Sequence, residues 1–89
     1  MTFADALLKA MDDQPKQGRR GILLIDFLMS RPSRRKDRQL ARMEKHTRVQ
    51  LGIHEDDVVD WGGAGINWKK ILGPLLDLLL KILPLILAL

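Results

Sequence analysis

Few residues in this chain have the type and spacing to do chemistry. Its 89 residues include no cysteine and only two histidines, His46 and His54. That removes disulfides, thiolate zinc sites and thiol nucleophiles together. The densest set of metal-ligating types is His54-Glu55-Asp56-Asp57. It has neither the His-Glu-x-x-His spacing of a zinc hydrolase nor the calcium-loop pattern of spaced oxygen ligands around a central glycine. Adventitious cation binding is the most it supports. Gly62-Gly63-Ala64-Gly65 is followed by no Lys-Ser/Thr pair and preceded by no strand, so it is not a phosphate loop. No nucleophile–base pair and no pair of carboxylates with a pocket can be argued. The expectation is a non-enzymatic protein with no metal and no cofactor.

The residues that do form a pattern are cations. Arg34, Arg38, Arg42 and Lys45 recur at helical spacing, joined by Arg35 and Arg48. Such a ladder can neutralise phosphates on lipid headgroups or nucleic acid, or meet an acidic protein. The segment has no aromatic residue, so it offers no base-stacking platform, and nucleic acid ranks below lipid or acidic protein. The bland alternative is a solvated face that pairs with the acidic stretch after it. Arg34, Arg35 and Lys36 also crowd the start of their helix, where the macrodipole disfavours cations, which points to an anion there.

Charge is unevenly placed along the chain. The formal net charge of +4 combines −1 over residues 1–18, +7 over 19–51, −4 over 52–61 and +2 over 62–89. A basic block beside an acidic one suggests an anionic partner, or pairing within or between copies of the chain.

Hydrophobicity is uneven too. Residues 71–89 hold thirteen Leu or Ile, broken by Gly73, Pro74, Asp77, Lys81 and Pro84. A helix from Trp68 to Leu89 would be roughly 33 Å long, enough for a hydrocarbon core of about 30 Å. Its insertion is nearly balanced. The Leu and Ile contribute on the order of −6 kcal/mol, and a central Asp and Lys cost roughly 5–6 kcal/mol before pairing. Asp77 and Lys81 fall on one narrow polar stripe and are spaced to pair. The rest is apolar. The insertion surface therefore reads as Leu75, Leu76, Leu79, Leu80, Leu83 and Ile86, with Trp61, Trp68, Lys69 and Lys70 as interfacial anchors. A core helix wrapped by protein is the competing reading. Ile66-Asn67-Trp68-Lys69-Lys70-Ile71 resembles the opening of mastoparan-type wasp venom peptides, short membrane-active helices. The likeness covers six residues and then departs, since those peptides carry more lysines and usually lack proline; no function is carried over from it.

The elements that must position these residues are helical. Thr2 and Asp5 make a capping pattern, with Phe3, Leu7, Ala10 and Met11 on one stripe, which predicts a helix over about residues 3–12. Residues 12–18 read as a loop. The apolar run Gly21–Met29, bracketed by Arg19-Arg20 and Arg31, reads as helix rather than strand, because no second strand exists to pair with it. Asp26 within it is expected to cap, face water or, most commonly, pair with an Arg. Ser30 or Ser33 caps the basic helix, with Pro32 in its first turn, Gly52 as its stop and an apolar seam of Leu40, Met43, Thr47 and Leu51. One helical turn is expected around Val58, Val59 and Trp61, and Asn67 is the expected cap of the last helix. Pro84 predicts a bend there.

These readings combine into an all-α protein. A basic helical region of two or three short helices (residues 1–61) is followed by a Gly-rich hinge (62–65) and a long hydrophobic amphipathic helix (66–89). A chain this short buries only about 60–65% of its unfolded surface, so its core is marginal. No signal peptide pattern opens the chain. The expected function is assembly or anchoring. The last helix inserts in a membrane or a larger complex, the Arg-rich helix engages an anionic surface, and the chain joins a homo- or hetero-oligomer. The basic region would face the cytoplasm if the chain is membrane-associated; otherwise the chain is soluble within a large complex. Two alternatives stand beside this, a nucleic-acid-associated structural component of a virion or packaging type and a membrane-permeabilising protein.

Overall fold

A computed structural model of the chain describes residues 2–12, 18–62 and 68–88. Among them are four helices and no strand: α1 (Phe3–Asp12), α2 (Gly18–Met29), α3 (Arg34–Leu51) and α4 (Trp68–Leu87). Most of the expected loop after α1, most of the Gly-rich hinge, and Asn67 lie outside the described residues.

Local chemistry accounts for the helix ends. At α1 the capping box is reciprocal: Asp5 N–H donates to Thr2 Oγ1 at 3.2 Å, and Thr2 N–H to Asp5 Oδ2 at 3.3 Å. Ser33 is the cap of α3; its hydroxyl oxygen accepts from Lys36 N–H at 3.0 Å. Pro32 thus precedes the cap and does not enter the first turn as expected. Gly52 ends α3 in the left-handed region at φ 71°, and Ile53 N–H reaches back to Arg48 O at 2.9 Å, a Schellman closure.

Helix α4 is the centre of the core. It packs against α1 most extensively, and also against α3 and α2. Leu72, Leu76, Leu79, Leu80, Leu83 and Ile86 are buried with Phe3, Ala6, Leu7, Ala10 and Met11 of α1, Leu24 and Leu28 of α2, and Met43 of α3. The radius of gyration is 12.4 Å, close to the about 12 Å of a compact domain of this length. The chain thus covers the inner face of α4 itself.

The polar stripe of α4 faces water. Lys70, Pro74, Asp77, Lys81 and Pro84 are exposed, and Asp77 and Lys81 make no ion pair with each other. Both prolines inside the helix lie on this side.

The segment after α3 departs from expectation. Residues 55–57 turn and bend without forming a helix, and Val58 is 98% exposed. Arg48 explains this, because its Nη1 donates to His54 O at 3.1 Å and Asp57 O at 2.7 Å. Those two contacts fold the acidic loop back onto α3. The His54 carbonyl also accepts from Asp57 N–H at 3.1 Å, which closes the turn.

Candidate anionic-surface site

Helix α3 carries two kinds of cation, separated by what they touch. Lys36, Arg35 and Arg48 serve the chain's own backbone. Lys36 Nζ donates to Leu28 O at 2.9 Å and to Ser30 O at 2.7 Å, at the C-terminal end of α2. Arg35 Nη2 donates to Leu87 O at 3.2 Å, at the C-terminal end of α4. Gln39, buried, points its amide at Ile86 O and Leu87 O at a long 3.5 Å each. Neither α2 nor α4 has a basic residue in its last turn. Their bare carbonyls and negative dipole ends are met instead by cations from the start of α3. The anion that the crowded helix start pointed to is, for Lys36 and Arg35, the ends of two neighbouring helices.

Arg48 is likewise occupied, bonded to the loop carbonyls and paired with Glu44 at 3.5 Å. It does not stand on the ladder as a free cation.

The remainder of the ladder does face solvent. Arg34, Arg38, Arg42 and Lys45 are exposed and make no hydrogen bond or ion pair among the described residues. The opposite face of α3 holds the seam, with Met43 and Thr47 buried and Leu40 and Leu51 half-buried. Thr47 satisfies its hydroxyl on Met43 O at 2.9 Å. The burial of this seam fixes which way the ladder points. Between Arg35, Arg38, Gln39 and Arg42 lies a cavity of about 100 Å³. A broader depression of about 330 Å³ lies beside Ala41, Glu44, Lys45, Arg48 and Glu55, where carboxylates and cations balance.

Comparison with protein-family models, curated proteins and solved structures gives no match. Function must therefore be argued from the residues.

The apolar set read as an insertion surface divides in two. Leu76, Leu79, Leu80, Leu83 and Ile86 are buried in the chain's own core, and Leu75 is half-buried against it. Trp61, read as an interfacial anchor, is only 3% exposed. Its Nε1 donates to Glu44 Oε1 at 3.0 Å, and its ring meets Phe3 edge-on at 5.0 Å. The Trp68 and Lys69 side chains lie outside the described residues. Among the described residues, no helix is long and apolar enough to cross a membrane.

Sequence reasoning missed an apolar strip of α2 that reaches solvent. Ile22, Ile25 and Met29 are 62%, 41% and 71% exposed along α2, spaced three and four apart. Asp26 is exposed beside them, taking the water-facing alternative. Arg19, Arg20 and Arg31 bracket this strip and are exposed as well. The apolar run had marked the strip, but nothing in it told which side would face outward.

His54 and its acidic neighbours form a local turn. Asp56 N–H donates to His54 Nδ1 at 3.2 Å. Among the described residues no three of His, Asp or Glu converge closely enough to hold a metal ion.

Proposed function

We propose that this chain is a small non-enzymatic adaptor that attaches to an anionic lipid surface through α3 and α2 and takes its place in a larger assembly. The observation that carries this is the split among the α3 cations. Structural needs consume Lys36, Arg48 and one donor of Arg35, yet Arg34, Arg38, Arg42 and Lys45 remain exposed with no partner among the described residues. Four clustered cations cost self-repulsion, and an anionic surface relieves it. The bracketed apolar strip of α2 supports lipid in particular. Ile22, Ile25 and Met29 with flanking arginines have the composition of a helix side that seats in the headgroup boundary. Attachment is peripheral in this reading, with α4 retained in the core. The anionic leaflet implied is the cytoplasmic one.

The test is co-sedimentation with vesicles of phosphatidylcholine containing phosphatidylglycerol, at low and at moderate salt. Binding should fall steeply as salt rises and vanish when Arg34, Arg38, Arg42 and Lys45 are all changed to Gln. Undiminished binding by that variant rejects the reading. Tighter binding to duplex DNA than to vesicles at the same salt would transfer the basic face to a packaging role. Release of trapped dye from the vesicles would signal permeabilisation instead, which requires α4 to leave the core.

A further inference from the structure

The cavity between Arg35, Arg38, Gln39 and Arg42 is small and, among the described residues, is lined by hydrogen-bond donors and by no carboxylate. We propose that it is a subsite for a terminal phosphate group, either the monoester of a lipid headgroup or free inorganic phosphate. This deepens the lipid-surface reading, on which it rests, by naming the ligand class and the place where it sits.

Helical spacing brings the four residues together, since positions 35, 38, 39 and 42 share one face. Two of them are held in place from below. Arg35 is tied to Leu87 O by one N–H, leaving four of its five donors available, and Gln39 is buried against the end of α4. Arg38 and Arg42 form the other wall and make no hydrogen bond or ion pair among the described residues.

Volume and charge then select the ligand. About 100 Å³ is well below the roughly 300–1,000 Å³ of sites for whole metabolites. A single tetrahedral oxyanion is the appropriate size. Three guanidinium groups around one small space repel one another, and each offers the forked donor pair that suits a phosphate. A monoester presents three terminal oxygens and about −1.5 to −2 charges near neutral pH. A diester, as in a nucleic-acid backbone or phosphatidylglycerol, presents two free oxygens and one charge. The three-arginine lining matches the monoester.

The experiment uses the full chain and two charge-matched double variants. Arg38→Gln with Arg42→Gln alters the cavity; Arg34→Gln with Lys45→Gln removes the same charge outside it. All four positions are exposed, so both variants should fold, which circular dichroism checks. Inorganic phosphate is titrated against a chloride control while backbone amide shifts are followed by NMR. Vesicles containing phosphatidic acid, a monoester, are compared with vesicles containing phosphatidylglycerol at equal surface charge.

The expected result is saturable shifts confined to residues 35–42, and binding preference for phosphatidic acid. Both should weaken roughly tenfold or more in the cavity variant and little in the control variant. Saturable phosphate binding at the cavity without any vesicle binding would assign the subsite to free phosphate and reject the lipid-surface reading. Equal binding to both lipids, with no saturable phosphate shifts and equal losses in the two variants, would overturn the subsite and leave the surface reading intact. Absence of both phosphate and vesicle binding would reject both.

Discussion

Lys36 stands at the start of α3, yet its ammonium lies 2.9 Å from the carbonyl of Leu28, at the end of α2. Its second bond, to Ser30 O, clasps the connection between the two helices. A cation near a helix N-terminus is ordinarily unfavourable, and here it is compensated by the C-terminal end of another helix. Lys36→Met should therefore destabilise the fold by about 1–2 kcal/mol. Arg34→Met on the same turn should do the reverse. Arg34 meets the same unfavourable dipole with no carbonyl among the described residues to offset it, so its removal should be neutral or gain a few tenths of a kcal/mol. Urea titration of the two variants decides the matter. Equal effects of one sign would show that the Lys36 contacts contribute nothing.

Trp61 joins three parts of the molecule. It reaches Glu44 on α3 through its indole N–H and Phe3 on α1 through its ring. Trp61→Phe keeps most of the apolar ring and loses the donor, which should cost about 1–2 kcal/mol. Trp61→Ala loses the ring too and should cost about 3–5 kcal/mol. A Tm series over the two variants checks this. If Trp61→Ala were no worse than Trp61→Phe, the indole would not be packed against Phe3 as described.

The orientation of α4 can be read from one pair of leucines. Leu83 is fully buried and Leu85, two residues on, is 70% exposed. Leu83→Ala should cost about 2–5 kcal/mol, while Leu85→Ala should stay within about 0.5 kcal/mol. In a domain of this size each kcal/mol moves Tm by about 4–8 °C, so the contrast is easily resolved. A large loss at Leu85 would mean that a partner or a second copy covers that side.

What the sequence disclosed, and what it withheld, divides along physical lines. The Thr2–Asp5 box and the Gly52 stop depend on residues within a few positions of one another and were legible, and the α3 cap was narrowed to Ser30 or Ser33, of which the structure takes Ser33. The helical character of residues 21–29 followed from the lack of a partner strand. The partners of Lys36 and Arg35 were not legible, because they depend on two helix ends meeting a third helix in space. Trp61 was misplaced for a related reason. A tryptophan between an acidic loop and a Gly-rich stretch looks interfacial until Glu44 and Phe3 arrive from distant positions. The tail posed the hardest choice, since a helix with a narrow polar stripe suits a bilayer, a partner or its own core equally well by periodicity. The inner residues of α4 are covered because α1 presents a matching stripe of small and large residues, Phe3, Ala6, Leu7, Ala10 and Met11. As for the candidate site, the ladder was visible as a pattern, but its division into occupied and free cations was not.

That placement of α4 changes what a truncation should do. If residues 1–63 formed a body with an appended anchor, a chain ending at Gly63 would keep its helices and its cooperative melting. In this fold the same cut removes Leu72, Leu76, Leu79, Leu80, Leu83 and Ile86 from the core and deprives α1 of its main packing face. A short helix such as α1 is not stable in water without an apolar partner. Removing that much burial exceeds what a marginal domain can lose. The truncated chain should therefore show weak helical circular dichroism and no sigmoidal thermal transition, and should be rapidly cleaved by protease. The full chain should melt cooperatively under the same conditions. A truncated chain that melts cooperatively would establish residues 1–63 as an independent unit and return α4 to the role of a separable tail.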